Sequence, residues 1–115
     1  MMIEEKTTKY LSRVLDVPVY MGEEPASKPS EYIVIQTLDN GRINMIDAVT
    51  FNIISYSTSL QKAAELNNKV KDAMYNIVSL VNVSSSKCGG GGQAIDTTTK
   101  RHAYECVFNL YYMED

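Results

Sequence analysis

The stretch from Ser57 to Leu80 limits the folds open to this chain more than any other. It reads STSLQKAAELNNKVKDAMYNIVSL, with apolar residues at Leu60, Ala63, Ala64, Leu66, Val70, Ala73, Met74, Ile77 and Val78. Steps of three and four dominate, which is the period of one helical face. Ser57, Thr58 and Ser59 offer N-caps, and Thr58 with Gln61 has the spacing of a capping box. The spacing therefore predicts one long amphipathic helix over about 58–79. Directly before it, Val49 to Tyr56 (VTFNIISY) alternates as a strand does. Val49, Phe51, Ile53 and Ser55 share one face and Thr50, Asn52, Ile54 and Tyr56 the other. A strand feeding one long helix is the predicted centre of the chain.

A second helix is predicted over about 3–15, where Ile3, Thr7, Tyr10, Leu11, Val14 and Leu15 repeat at the same spacing. Glu4 and Glu5 open it and Arg13 closes it, the charge order that suits the helix dipole. Pro18 ends it and makes Val17–Met21 a short edge strand. Gly22–Ser30, with two prolines, reads as a surface loop. Glu31–Leu38 (EYIVIQTL) is the clearest strand. Apolar groups on both its faces predict a central strand, or one covered on both sides. Asp39-Asn40-Gly41 is a strong turn signal that would return the chain into Ala48–Tyr56. Val81–Cys88 reads as a strand, Gly89–Gly92 as a flexible loop or bulged hairpin tip, and Gln93–Thr99 as a further strand. His102–Met113 alternates over a full crossing of the sheet. Hairpins with helices inserted predict an α+β fold: an antiparallel or mixed β-sheet with two helices packed on one side.

At 115 residues the chain fits one domain, over 1–115, with one core. A net charge of −3, with eleven scattered basic residues, argues against coating nucleic acid. No apolar run is long enough for a membrane span. The N-terminus lacks the order of a secretory signal, so a cytosolic origin is expected, with Cys88 and Cys106 as free thiols. Two Cys and one His fall short of a zinc set.

Catalytic parts are missing from the pattern. Glu4-Glu5 and Glu23-Glu24 lie in exposed settings. His102 lacks a partnered nucleophile and an orienting acid. Gly89–Gly92 is not followed by the helix and Lys-Ser/Thr pair that a phosphate loop needs. No catalytic, cofactor-binding or metal-binding residues are assigned. The tyrosines say more. Tyr32, Tyr56, Tyr104, Tyr111 and Tyr112 fall on predicted strands and on both strand faces. A helix layer covers only one face, and tyrosine suits interfaces. With Asn40 and Arg42 from the predicted hairpin loop, these residues form the expected interface set.

Phe51, Ile53 and Ser55 lead into Ser57–Ser59, and then come Ala63-Ala64 and Leu66-x-x-x-Val70. A Pro-rich loop into EYIVIQTLDN precedes them and a closing strand follows. In this layout the chain resembles the small tail-terminator and tail-completion proteins of tailed bacteriophages and prophages. The resemblance covers most of the chain. It implies an α+β subunit of a homo-oligomeric ring, usually six-fold, that caps the tail tube and joins it to the head. The implied partners are further copies of the chain, the major tail tube protein and head–tail connector proteins. The implied location is the virion tail or neck, after assembly in the bacterial cytoplasm. No membrane and no specific nucleic acid is expected as a partner. The alternative is a small ligand-binding or regulatory α+β domain that uses a Gly89–Gly92 loop.

Overall fold

A computed structural model describes residues 2–43, 45–80, 82–94 and 101–113. The elements in chain order are α1 (Ile3–Leu15), β1 (Val19–Met21), β2 (Tyr32–Ile43), β3 (Ile46–Ser57), α2 (Leu60–Tyr75), a 3-10 turn (Asn76–Ser79), β4 (Val83–Ala94) and β5 (His102–Tyr112). The strands form one mixed sheet in the order β1-β2-β3-β5-β4. β1 runs parallel to β2, and every other pair is antiparallel. The fold is α+β, with both helices on one face of the sheet.

Hydrophobic periodicity explains that face. Ala73, Met74, Val70, Leu66 and Ile77 of the second helical stretch pack with Ile3, Tyr10 and Leu11 of α1. Beneath them lie Ile33 and Ile35 (β2), Val49, Phe51 and Ile53 (β3), and Cys106, Phe108 and Leu110 (β5). The Tyr10 hydroxyl donates to the Ala73 carbonyl at 2.7 Å, tying the two helices together. Ser59 caps α2, its hydroxyl accepting from the Lys62 amide at 3.2 Å. The predicted Thr58–Gln61 box thus gives way to a cap one residue later. Leu60, Val78 and Val14 match the helical spacing yet are exposed, because they sit at the border of the apolar stripe.

The opposite face has its own smaller core. Tyr32, Val34, Ile54, Tyr56 and Ala103 are buried there. The Tyr32 and Tyr56 rings stack at 4.7 Å with 12° between planes, and Tyr20 meets Tyr32 edge-on. The Gly22–Ser30 segment and Arg101 meet Tyr32 from this side. The Tyr32 hydroxyl donates to Glu24 Oε1 at 3.2 Å. The Arg101 guanidinium lies over the Tyr32 ring and donates to the carbonyls of Pro29 and Ser30 at 2.7 and 2.6 Å. β2 is therefore covered on both sides, as its two apolar faces require.

Two sequence expectations fail. Asp39-Asn40-Gly41 is not a turn: β2 continues to Ile43, and the chain reverses between Ile43 and Ile46, with Met45 at φ 69°. A two-residue turn at Asn40-Gly41 would set Ile35 against Ile46 and leave Phe51–Ser57 without partners from β2. Pairing along two 12-residue strands outweighs the local turn preference. Gly89–Gly92 is not a loop either. All four glycines lie within β4, and Gly90, Gly91 and Gly92 pair with Val107, Cys106 and Glu105. The strand expected over Gln93–Thr99 reaches Ala94 in β4; residues 95–99 lie outside the described ones.

Candidate assembly surface

Sheet pairing carries each strand position across the molecule in rungs. Gly41, Ala48, Tyr111 and Ser85 share a rung, as do Asn40, Val49, Leu110 and Ser86. The next rung holds Asp39, Thr50, Asn109 and Lys87. Three bulges interrupt the ladder nearby, one between Thr37 and Asp39, one between Val83 and Ser85 and one between Cys88 and Gly90.

The two margins of the sheet are open among the described residues. β1 pairs with β2 only at Ile33–Ile35, and the Gly22 amide adds one bond to the Ile35 carbonyl. The rest of β2, from Gln36 to Ile43, has β3 on one side and no strand on the other. β4 likewise pairs only with β5 along its 12 residues. A strand edge is a row of backbone donors and acceptors that can bind another chain. The glycines make the β4 edge unusually bare: a Cβ added at Gly90 or Gly92 would meet nothing within 4 Å.

The hairpin end between these margins is both charged and apolar. Arg42 grips Asp47 across the hairpin, Nε to Oδ1 at 2.8 Å and Nη2 to Oδ2 at 3.3 Å. Leu38, Met45, Ile46, Tyr111 and Met113 are exposed there, Met45 at 83%. On the face away from the helices, the Thr50 hydroxyl donates to Asn109 Oδ1 at 2.7 Å and Asn52 Nδ2 donates to Glu105 Oε2 at 3.1 Å.

The structure divides the expected interface residues. Asn40 and Arg42 are exposed on the free part of β2, and Tyr111 is 42% exposed two strands away on the opposite face of the sheet. Tyr104 is half-buried. The expectation of accessible rings fails at Tyr32 (0% exposed), Tyr56 (5%) and Tyr112 (8%). The first two are stacked on each other within the smaller core on the face away from the helices, and Tyr112 joins the helix-side core. Sequence reading missed Asp39 and Lys87, which face the same way at opposite margins, and it missed the exposed apolar hairpin end. A strand reading of Asp39–Ile43, suggested by Arg42 and Ile43 beyond the Asn-Gly pair, would have found the first.

The two thiols differ. Cys106 is buried, and that burial, helped by neighbouring Cys88, pushes its pKa up to about 12. Because the folded value is raised, the folded state holds a proton that the unfolded thiol loses from about pH 8.5. Stability should therefore fall as pH rises from about 9 towards 12, by up to about 1.4 kcal/mol per pH unit. The Cys106→Ala variant should flatten that limb in denaturant titrations. At pH 8, iodoacetamide should label Cys88 alone in the folded protein and both thiols after unfolding; rapid double labelling without denaturant would contradict the assignment.

Among the described residues no group of three or more His, Cys, Asp and Glu side chains is placed to hold a metal ion, and no helix is long and apolar enough to cross a membrane. No protein-family model matches the chain, and no curated protein matches its sequence.

Proposed function

We propose that this chain is a structural subunit of a phage tail, which caps or completes the tail tube and joins it to the head by forming a ring of identical copies. The resemblance of the strand-to-helix layout suggests the family. One observation carries the assembly reading: among the described residues the sheet has two open edges on opposite margins, Gln36–Ile43 of β2 and Val83–Ala94 of β4. An edge that meets a different edge of the next copy makes a head-to-tail contact, and such contacts close into rings when the rotation allows. The two helices and their core stiffen the sheet, so that its margins keep their geometry. The exposed hairpin end, with Met45, Ile46, Tyr111 and Met113, offers apolar surface to the tail tube or to connector proteins.

Size-exclusion chromatography with light scattering, on the chain alone and mixed with major tail tube protein, tests this. The expected result is a discrete mass several times that of the subunit, with rings in negative-stain images. A monomer under both conditions at high concentration would overturn the reading.

A further inference from the structure

We infer that the copies join in one particular register: Gln36–Arg42 of β2 in one copy adds antiparallel to Val83–Gly90 of β4 in the next, setting Asp39 against Lys87. This rests on the ring reading above and specifies its contact.

Three observations converge. The first is direction. β2, β3, β5 and β4 alternate in direction across the sheet. β2 and β4 therefore run oppositely, and β2 of a second copy laid beside β4 continues the alternation with its helices on the same face. The second is extent. β1 shields β2 only as far as Ile35, so the open part of β2 begins at Gln36. Rungs link Gln36 to Gly90 and Arg42 to Val83, so the open part of β2 and the first part of β4 lie at the same height, while Gly91–Gln93 stand level with Ile33–Ile35 and must part from the next copy to clear its β1.

The third is charge. Asp39 and Lys87 are both exposed and stand at opposite ends of one rung, through Thr50 and Asn109. Paired positions of an antiparallel ladder share a face. Continuing the sheet at equal height therefore places a carboxylate directly across from an ammonium. A lysine on an open edge often serves to repel another strand. Here the chain itself supplies, on the matching rung of its other edge, the acid that neutralises it. The guard and the contact roles make opposite predictions for a charge reversal at Lys87.

Lys87→Asp and Asp39→Lys are the single variants, and the double variant carries both. Dissociation is followed by light scattering on dilution, with circular dichroism to confirm folding. Each single variant should weaken association about threefold to tenfold, the range for an exposed ion pair turned into a like-charge pair. The double variant should return to within about twofold of the parent, because each contact regains opposite charges. A second readout uses Asp39→Cys with Lys87→Cys in a Cys88→Ser background. Within one chain these sites lie three strand spacings apart, about 14 Å, too far for a disulfide. Oxidation should therefore give a ladder of linked multimers. Stronger association of Lys87→Asp would show a guarding lysine and overturn the register. So would an oligomeric parent with neither charge rescue nor cross-linking, and in both cases the ring reading would stand. A parent that stays monomeric alone and with tail tube protein would overturn both.

Discussion

Replacing Phe108 by alanine should lower the unfolding free energy by about 3–5 kcal/mol. Phe108 is fully buried on β5, directly opposite Phe51 on β3. Its ring meets the Tyr75 ring edge-on at 5.3 Å, beneath the C-terminal end of α2. Truncation removes a large apolar group and leaves a cavity between two layers that are each held by other contacts. α2 is tied to α1 and the sheet by Val70, Ala73 and Met74, so collapse can fill the gap only in part. Total stability for a domain of this size is about 5–15 kcal/mol, so the loss is a large share of it. Urea unfolding monitored by circular dichroism gives the value. Phe108→Leu, which keeps most of the volume, should cost distinctly less. A loss below about 1 kcal/mol for the alanine variant would mean that the helix layer does not rest on β5 as described.

The second large effect is expected at Gly91. Its φ of 145° lies in a region that side chains disfavour. A Cβ there would run into the Glu105 carbonyl oxygen and come within 2.7 Å of Cys106 Cα. Both obstacles are backbone of the paired strand, so neither can rotate away. Gly91→Ala should therefore cost roughly 2–4 kcal/mol, from the disfavoured dihedral and the overlap together. Gly91→Val should cost more and detach the end of β4. Gly41→Ala is the control: it has φ outside the left-handed region and nothing within 4 Å of an added Cβ. Its stability should change by less than about 0.5 kcal/mol. Thermal unfolding with hydrogen exchange along β4 separates the cases. A Gly91→Ala variant as stable as the parent would show that β4 does not approach β5 closely.

These two sites also show what could be read in advance. Phe108 lies in a strand whose alternation is plain, and the helix-side core of α1, α2, β3 and β5 follows from spacings of two, three and four. The α+β class and the helix positions come from the same periodicities, because burial of one face is a local constraint repeated along the element. Gly91 was misread for the converse reason. Four glycines in a row carry no side-chain pattern, and only the partner strand shows that the backbone must come that close. Asn40-Gly41 misled in the opposite sense: a strong local turn signal lost to the pairing of two long strands.

The candidate surface divides along the same line. Asn40 and Arg42 could be picked out as exposed polar residues near a hairpin. Tyr32 and Tyr56 could not be told from interface tyrosines, because the second core that buries them joins residues of β2, β3 and β5 that are distant in sequence. The pairing of Asp39 with Lys87 on one rung is further from view, since it passes through β3 and β5. What the sequence determined by itself is which faces of its helices and strands seek the core, since that depends on the order of apolar and polar residues along each element. The tertiary structure alone decided strand register, which margins stay open and which charges share a height, because those depend on pairings between segments distant in sequence.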